Sequence, residues 1–349
     1  MLPCGVFNTT YEKDISIVRT KTHWALLTGF VVLVLLAPQF LGPKLLDILN
    51  YMAIDLIAVL GLNIVIGYCG QIALAQSAFM AVGGYTSAIL YGEFGLPFFA
   101  CLLAAGLSSG LAGLVFGSPA VRIKGFYLAM ATLAAQFIII WIIDHTPAIS
   151  GGYLGMEVGK PAIFGISLES IKANSYLIFP ITLVMVYLHK NLGRSRTGRA
   201  FMAIRDNDIA AEVMGVGLSR NKLLAFFLSA FYAGVAGCLW AHYVGRLHPE
   251  AFGLMDSIWY VGFLVVGGMG STMGPIFGTV FLVSLTEFVR FISPILAGSF
   301  TGLSGSIFAA SAQLIFGLIV VLFVVFEPRG INHRWEIFKN YYRLHPYSY

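Results

Sequence analysis

Ten apolar runs follow one another along this chain, and most of them are long enough to cross a lipid bilayer. A membrane-spanning helix needs about 20 predominantly apolar residues. The chain is 58% hydrophobic and 11% charged, whereas soluble domains carry about 25% charged residues. The sequence therefore predicts an all-α polytopic membrane protein with about ten transmembrane helices. The runs lie at roughly 24–41, 45–67, 77–92, 97–117, 125–144, 175–189, 221–244, 257–269, 274–293 and 307–326.

Glycine spacing indicates how these helices pack. Three sets of glycines recur at intervals of four: Gly106 and Gly110, Gly113 and Gly117, and Gly270, Gly274 and Gly278. At that interval the small residues share one helix face and allow two backbones to approach closely. We therefore expect a compact bundle. The third, sixth and eighth runs are short, so we expect them to tilt or to stop short of a full crossing.

The distribution of basic residues predicts the orientation, because Lys and Arg concentrate in cytoplasmic loops. With the N-terminus inside, 16 of the 21 Lys and Arg residues fall on the cytoplasmic side. We therefore predict that both termini are cytoplasmic. The expected divisions are an N-terminal tail at 1–23, a transmembrane domain at 24–326 and a C-terminal tail at 327–349.

A polar segment at 190–222 interrupts the apolar pattern and is longer than a helix connection requires. It holds seven of the 21 Lys and Arg residues against three acidic residues. Asn207 or Asp208 can cap a short helix, and glycines 215 and 217 can end it. An apolar stripe follows the cap, formed by Ile209, Val213 and Val216.

An exposed apolar stripe on a short helix favours docking of a partner, although an ordinary solvated loop remains the alternative. We also expect Ser219 to cap the helix that follows.

Two glycine-rich stretches, 67–71 and 265–270, interrupt apolar runs in the two halves of the chain. Paired interruptions of this kind point to a substrate path, because unwound backbone inside a membrane must line a cavity or be buried in protein. Gln71, Gln76 and Ser77 lie at the first stretch, where they can face a neutral or zwitterionic solute. For each of them, a hydrogen bond within the protein core is the competing interpretation.

Ionisable residues within the runs keep a second class of transporter open. Asp55, Asp144 or Glu287 would relay protons in a self-sufficient secondary transporter, since such groups are costly inside a membrane. Glu287 and Arg290 lie three residues apart, however, and an ion pair on one helix face explains both. Asp55 is the residue that the proton-coupled alternative depends on.

Catalytic motifs are missing from the sequence. It contains neither a G-x-x-x-x-G-K-[ST] phosphate loop nor an H-E-x-x-H zinc motif. The four cysteines, Cys4, Cys69, Cys101 and Cys238, show no metal-binding spacing. The basic residues adjoin apolar runs and form no separate basic domain, so we expect no nucleic-acid partner. We expect a chain that is not an enzyme and binds no metal or cofactor itself.

Residues 62–79, LNIVIGYCGQIALAQSAF, resemble the LNLLVGYAGQLSLGHAAF segment of inner-membrane ABC permeases for branched-chain amino acids, the LivM-like group. Four further segments agree in the same order, at 125–133, 198–215, 249–252 and 267–275, and the ending at 328–330 also fits. The resemblance covers about 45–330, which makes it more specific than any single motif.

The resemblance implies a permease fold related to the vitamin B12 importer type, in a bacterial inner membrane. It implies a second, similar permease, a periplasmic solute-binding protein and two cytoplasmic ATPase subunits that bind ATP and Mg. The loop 190–220 would contain the coupling helix that enters a groove on an ATPase. The coupling residues expected on this basis are Arg199, Arg205, Asp208, Ile209, Ala210, Ala211, Glu212, Met214 and Gly215.

The resemblance also implies an importer for branched-chain or other hydrophobic amino acids, with related permeases for urea or amides as the alternative. The sequence departs from the family at Cys69, Gln76 and Ser77, where the segment commonly has Ala, His and Ala, so the preferred solute can differ. The residues that we expect along the substrate path are Asn63, Gly67, Gly70, Gln71, Gln76, Ser77, Tyr127 and Thr132.

Overall fold

The computed structural model is mostly helical, and it describes residues 21–152, 155–163, 166–299, 317–318, 320–323, 325–327 and 329–344. The first half contains helices α1 (Lys21–Phe40), α2 (Pro43–Leu62), α3 (Gln76–Gly92), α4 (Phe98–Gly117) and α5 (Phe126–Asp144). The second half contains α6 (Ile171–Arg194), α7 (Arg196–Asp206), α8 (Asp208–Val213), α9 (Leu218–Val244), α10 (Leu254–Gly267), α11 (Met273–Ser299) and α12 (Gly330–Leu344).

Several short elements join these helices. A π-helical turn, Asn63–Tyr68, continues α2, and 3-10 turns lie at Ser118–Val121 and Pro249–Phe252. A single helical turn at Pro147–Ser150 follows α5. Proline opens several of these elements, because its fixed φ suits the first turn of a helix and its missing N–H is not needed there.

In the described residues, four two-residue strands lie in the connections, β1 (Met156–Glu157), β2 (Ala162–Ile163), β3 (Ile166–Ser167) and β4 (Arg246–Leu247). β1 pairs antiparallel with β4, and β2 pairs antiparallel with β3. The all-α prediction omitted these strands, because two residues are too few to show a periodicity in sequence. The β1–β4 pair joins the connection after α5 to the residues that follow α9.

Seven helices in the described residues are long and apolar enough to span a membrane. They are Pro43–Tyr68, Phe98–Val121, Phe126–Asp144, Ile171–Arg194, Leu218–Val244, Pro249–Gly267 and Met273–Phe291. The first predicted run corresponds to a shorter apolar helix, Trp24–Phe40, and the third to the 17-residue α3. The tenth run, 307–326, falls largely outside the described residues, so the total of ten stays a prediction.

The structure corrects three details of the predicted pattern. The sixth run is not short, because its helix includes polar ends that hydropathy leaves out and reaches 24 residues. The eighth run begins earlier, since the turn Pro249–Phe252 leads into α10. Ser219 does not cap α9, because that helix already begins at Leu218 with Gly217 as its cap.

Helix α9 lies at the centre of the bundle and packs against α2, α3 and α4. The glycines of α4 face α9, as their spacing predicted. A Cβ atom added at Gly110 would lie 2.7 Å from a ring carbon of Phe227, and one at Gly106 would lie 2.7 Å from Phe231. On α9, a Cβ atom at Gly234 would lie 2.6 Å from that of Ser109. The α4–α9 glycine seam, as we call this contact, therefore admits no side chain larger than hydrogen at these positions.

Polar contacts place several connections on one side of the bundle. Lys124, in the turn before α5, forms an ion pair with Asp208 of α8, and Arg205 of α7 donates to the Gly67 carbonyl after α2. Gly330 of α12 lies against Gly268. We call this the basic side. The β1–β4 pair lies in connections at the opposite helix ends. The tail at 1–20 and residues 345–349 are outside the described part of the chain.

Candidate functional site

The short helix α8 is built as its sequence predicts. Asn207 caps it, because the Asn207 Oδ1 atom accepts the Ala210 N–H at 3.1 Å. The helix ends at Val213, and Gly215 follows with a φ of 84° that favours glycine. Ala211 packs inward with 4% of its surface exposed. One side of α8 is therefore fixed against the bundle and the other faces outward.

The outward face of α8 is apolar. Ile209, Val213 and Met214 are 70%, 82% and 83% exposed, and Ala210, Glu212 and Gly215 are exposed beside them. Val216 departs from the predicted stripe, because it packs against the core after the chain turns at Gly215. We call Ile209, Val213 and Met214 the docking face. Exposed apolar groups of this size, two on a six-residue helix and one directly after it, are typical of interaction surfaces.

The ion pair between Asp208 and Lys124 holds the first turn of α8. The hydrogen bond from Lys124 lowers the pKa of the Asp208 carboxyl below its ordinary value, and the positive charge of the same side chain acts in the same direction. The negative Asp208 side chain is also favoured near the N-terminus of a helix. The pair joins α8 to the turn between α4 and α5.

The two arginines expected in coupling differ in their contacts. Arg199 bonds locally, with Nη1 donating to the Arg194 carbonyl at 2.9 Å. Arg205 reaches across the fold, with Nη1 donating to the Gly67 carbonyl at 3.0 Å. Arg205 thus connects the segment before α8 to the end of the π-helical turn.

The two glycine-rich stretches are breaks in the helices, as predicted, and they contact each other. The first break, residues 69–75, separates the π-helical turn from α3. The second break, residues 268–272, separates α10 from α11. Asn63 bridges them, because its Nδ2 donates to the Ser271 carbonyl at 2.8 Å and its Oδ1 accepts the Gly270 N–H at 3.0 Å. The sequence put these stretches in corresponding halves, and the structure puts them side by side.

A second group of polar side chains supports this junction. Tyr68 has its hydroxyl oxygen 3.4 Å from Oγ1 of Thr272, and its ring lies beside the ring of His189. His189 is fully buried, and its Nε2 lies 3.3 Å from Nδ2 of Asn63. Sequence reasoning did not select His189, although a histidine at the end of the sixth apolar run was the available signal.

Ser77 lies in a separate buried cluster at the start of α3. Its Oγ lies 2.9 Å from Oγ of Ser257 and donates to the Gly253 carbonyl at 2.8 Å. Gln136 of α5 completes the cluster, because its Nε2 donates to the Phe252 carbonyl at 2.8 Å and its Oε1 accepts the Ala78 N–H at 3.1 Å. The cluster satisfies the backbone where the turn Pro249–Phe252 enters α10.

The other predicted path residues are placed as follows. Gln76 is 2% exposed, donates to the Ala58 carbonyl at 2.7 Å and accepts from Ser229. Thr132 accepts the Leu74 N–H at 3.0 Å. Gln71 is 8% exposed, and its Oε1 has no partner among the described residues. Tyr127 is 75% exposed on the surface of the bundle.

These contacts separate the path residues into two sets. Asn63, Gly67 and Gly70 belong to the junction of the two breaks, and Gln76, Ser77 and Thr132 hold neighbouring helices together. The hydrogen bonds of the second set favour the core interpretation in this conformation. Gln71 belongs to neither set: its Nε2 donates to the Cys69 carbonyl at 3.3 Å, and its buried Oε1 has no hydrogen-bond partner among the described residues.

The three acidic residues singled out from the sequence, Asp55, Asp144 and Glu287, differ in their contacts. Arg290 Nη1 lies 2.7 Å from Glu287 Oε1, which confirms the predicted ion pair. Asp144 lies beside His145 at 3.7 Å. Asp55 is half-buried and accepts a long hydrogen bond of 3.4 Å from the Tyr260 hydroxyl. Among the described residues, no group of three or more His, Cys, Asp or Glu side chains could hold a metal ion.

A membrane-spanning bundle with an apolar docking face on one side and broken helices inside is typical of a transport permease. The model of a protein family described as "Branched-chain amino acid transport system / permease component" matches residues 44–325 of this chain. This chain belongs to that family. It is a multi-pass membrane protein and a transport component of an ABC importer.

Several curated relatives support the family assignment. The chain is 30% identical over 329 residues to the high-affinity branched-chain amino acid transport system permease protein LivM of Escherichia coli, covering 87% of this chain and 74% of the relative. It is 25% identical over 266 residues to the probable branched-chain amino acid transport permease protein LivH of Methanocaldococcus jannaschii, covering 74% and 82%.

A sugar permease is a more distant relative. The ribose import permease protein RbsC of Haemophilus influenzae is 22% identical over 282 residues, covering 76% of this chain and 83% of the relative. No solved structure matches the chain.

Proposed function

We propose that this chain is the transmembrane subunit of an ATP-driven importer for branched-chain or other hydrophobic amino acids. The family assignment supports the transport role. The observation that carries the coupling is the docking face, where Ile209, Val213 and Met214 stand exposed on a helix that is capped and ion-paired. A rigid apolar face of this kind suits insertion into a groove on a partner protein.

The proposed assembly contains this chain, a second similar permease, two ATPase subunits that bind ATP and Mg, and a periplasmic binding protein. The basic side faces the cytoplasm of a bacterial inner membrane, because Lys and Arg concentrate there. Lys124, Arg205 and α12 all lie on that side, and both termini are then cytoplasmic.

In the proposed mechanism the ATPases move the docking face when they close around ATP. The coupling loop 190–220 transmits this movement to the permease, which alternates between outward-open and inward-open states. The two breaks are the parts of the permease most able to change, because unwound backbone holds fewer helical hydrogen bonds than the spans around it. A bound solute passes the breaks when their contact opens.

The solute class rests on the relatives. The LivM and LivH names both specify branched-chain amino acids, whereas RbsC specifies ribose at lower identity. Buried amides and hydroxyls near the first break, those of Asn63, Gln71 and Thr272, can bond the polar ends of a zwitterion. The buried Lys222 side chain adds a positive charge that acts on Cys69 in the same break. Urea or an amide would use the same groups and is the alternative to be tested.

The experiment is co-purification after mild detergent extraction, with the native chain compared with Val213→Glu. A carboxylate in the docking face would have to lose its hydration on insertion into an apolar groove. We expect the ATPase and the second permease to accompany the native chain, and the ATPase to be lost from Val213→Glu while the second permease stays.

Arg220→Glu is the matched control, since Arg220 is exposed in the same region but outside the docking face. It should retain the ATPase. A native chain that purifies alone and transports solute in proteoliposomes without ATP would overturn the proposal. If the ATPase does accompany the native chain, solute competition on the binding protein, with leucine, urea and ribose compared, tests the solute class.

A further inference from the structure

The side chain of Arg205 contacts both breaks at once. Its Nη1 atom donates to the Gly67 carbonyl at 3.0 Å. Its Cγ atom would lie 2.8 Å from a Cβ atom added at Gly70, and Nη1 would lie 2.7 Å from one added at Gly270. Glycine at positions 70 and 270 therefore makes room for this one side chain, and both residues adopt positive φ angles.

The Gly67 carbonyl oxygen has no backbone N–H donor among the described residues, because the helix ends beside it. The carbonyl oxygens of Ile64, Val65 and Ile66 accept the N–H groups of residues 69, 71 and 70. Gly67 is next in line, and the chain unwinds before a further backbone N–H can reach it. A guanidinium group donates a charge-assisted hydrogen bond, which is stronger than a neutral one. Arg205 thus completes the end of the π-helical turn.

The guanidinium is itself held in place by the neighbouring carboxylate. Arg205 Nε and Nη2 both donate to Asp206 Oδ1, at 3.0 and 2.9 Å. With two of its nitrogen atoms engaged, the planar group directs Nη1 at Gly67. The next residue along the chain is Asn207, which caps α8. Only Asp206 separates the cap of the docking helix from the side chain that contacts the breaks.

We propose that Arg205 is a positioning residue that carries the movement of α8 to the two breaks and does not itself bind the ATPase. When α8 is displaced, Arg205 moves with it, because α7 and α8 adjoin without a flexible linker. The Gly67 carbonyl then loses its donor, and the space between Gly70 and Gly270 is emptied. The contact between the breaks opens as a consequence of ATPase movement.

This inference rests on the proposed ATPase docking, so the experiment measures docking and coupling separately. The full importer is reconstituted in proteoliposomes with the native chain, Arg205→Gln, Arg205→Lys or Asp206→Asn. Three quantities are compared for each: the amount of ATPase that co-purifies, the rate of ATP hydrolysis, and the solute taken up per ATP hydrolysed. Arg196→Gln is the control, since Arg196 is an exposed arginine at the start of the same helix.

We expect Arg205→Gln to retain the ATPase and hydrolyse ATP, while uptake per ATP falls about tenfold, which corresponds to about 1.4 kcal/mol of lost coupling. Arg205→Lys keeps a charged donor but lacks the planar guanidinium. Its uptake per ATP should therefore lie between that of the native chain and that of Arg205→Gln. Asp206→Asn weakens the contact that orients the guanidinium, so uptake per ATP should fall by a smaller factor than in Arg205→Gln. Arg196→Gln should match the native chain.

Native uptake per ATP in Arg205→Gln would overturn the inference and leave the docking proposal standing. Loss of the ATPase from Arg205→Gln would show that Arg205 contributes to docking, which also contradicts the role proposed here. If Arg205→Gln does not fold, Arg205→Lys and Asp206→Asn decide the question, and unchanged uptake per ATP in both would overturn it. A native chain that binds no ATPase would instead refute the proposed function.

Discussion

The carboxylate of Asp208 and the ammonium group of Lys124 form an ion pair that ties the docking helix to the turn between α4 and α5. The Lys124 side chain is 60% exposed and the Asp208 side chain is 21% exposed. An exposed pair is worth about 0–1 kcal/mol, so it orients α8 more than it stabilises the whole fold. Its effect should be seen in local mobility at the basic side.

We predict that Lys124→Met increases the mobility of α8, because it removes the donor that fixes Asp208. A spin label at Glu212, which is exposed on α8, reports this mobility in the spectrum. Arg122→Met is the control, since it removes a positive charge from the same turn without touching Asp208. Equal spectra for Lys124→Met and the native chain would contradict the role of the pair.

The pH dependence of the same contact follows from the lowered pKa of Asp208. A carboxyl whose pKa is lower in the folded state contributes stability that is present above its ordinary value and lost as the pH falls through the lowered one. The ordinary value is about 3.9. We therefore predict no change in the mobility of the label between pH 5 and 8, and an increase below about pH 4.

Loss of the α8 cap should weaken docking. In Asn207→Ala the Ala210 N–H loses its acceptor, which costs about 1 kcal/mol of helix stability. We expect less ATPase to co-purify, by about fivefold, while the yield of folded permease is unchanged. Asn340→Ala, in the exposed part of α12, is the control. Full ATPase recovery with Asn207→Ala would show that the cap is dispensable.

A methyl group at Gly67 should separate the two breaks. The Cβ atom of Gly67→Ala would overlap Oδ1 of Asn63, which bonds the second break, and would lie 2.6 Å from the Gly270 nitrogen. Overpacking of this kind costs about 1–3 kcal/mol. We predict a lower thermal unfolding midpoint in detergent. Gly92→Ala is a matched control, because a Cβ atom there meets nothing within 4 Å. A midpoint equal to that of the control would contradict the close contact of the breaks.

A substitution in the Ser77 cluster tests whether its side chains stabilise the protein core or line the substrate path. In Gln136→Leu the Ala78 N–H loses its acceptor, and the Phe252 carbonyl keeps only the Ser77 hydroxyl as a donor. An unsatisfied buried group costs about 1–3 kcal/mol. We predict a clear fall in the thermal midpoint. Thr28→Val, which affects only a bond within exposed α1, should leave it unchanged. Altered solute preference at native stability would instead assign Gln136 to the path.

Hydropathy and glycine spacing predicted much of the fold, because the bilayer and close helix packing impose periodic patterns on sequence. Capping chemistry predicted α8 in the same way, since Asn207 and Gly215 act on their immediate neighbours. Two-residue strands and the polar ends of α6 carry no such pattern, and they were missed. Val216 was misplaced because the chain reverses at Gly215, so the helical stripe does not continue to it.

Contacts between residues far apart in the chain could not be predicted from the sequence. Arg205 was selected as a coupling residue from a motif, but nothing in the motif indicates that it reaches Gly67, which is 138 positions away. Ser77 was interpreted through the break beside it, whereas its partner Ser257 is 180 positions away. A polar residue in an apolar run shows that a partner exists and leaves its identity to the tertiary structure.

The α4–α9 glycine seam also determines which part of the molecule can stay still. Gly106 and Gly110 of α4 lie against the rings of Phe231 and Phe227, and Gly234 of α9 lies against the α4 backbone beside Ser109, so sliding one helix past the other would drive these groups into the neighbouring helix. We therefore expect these two helices to move together as one rigid unit during transport. The relative movement of a transport cycle is then expected between this unit and the other helices of the bundle.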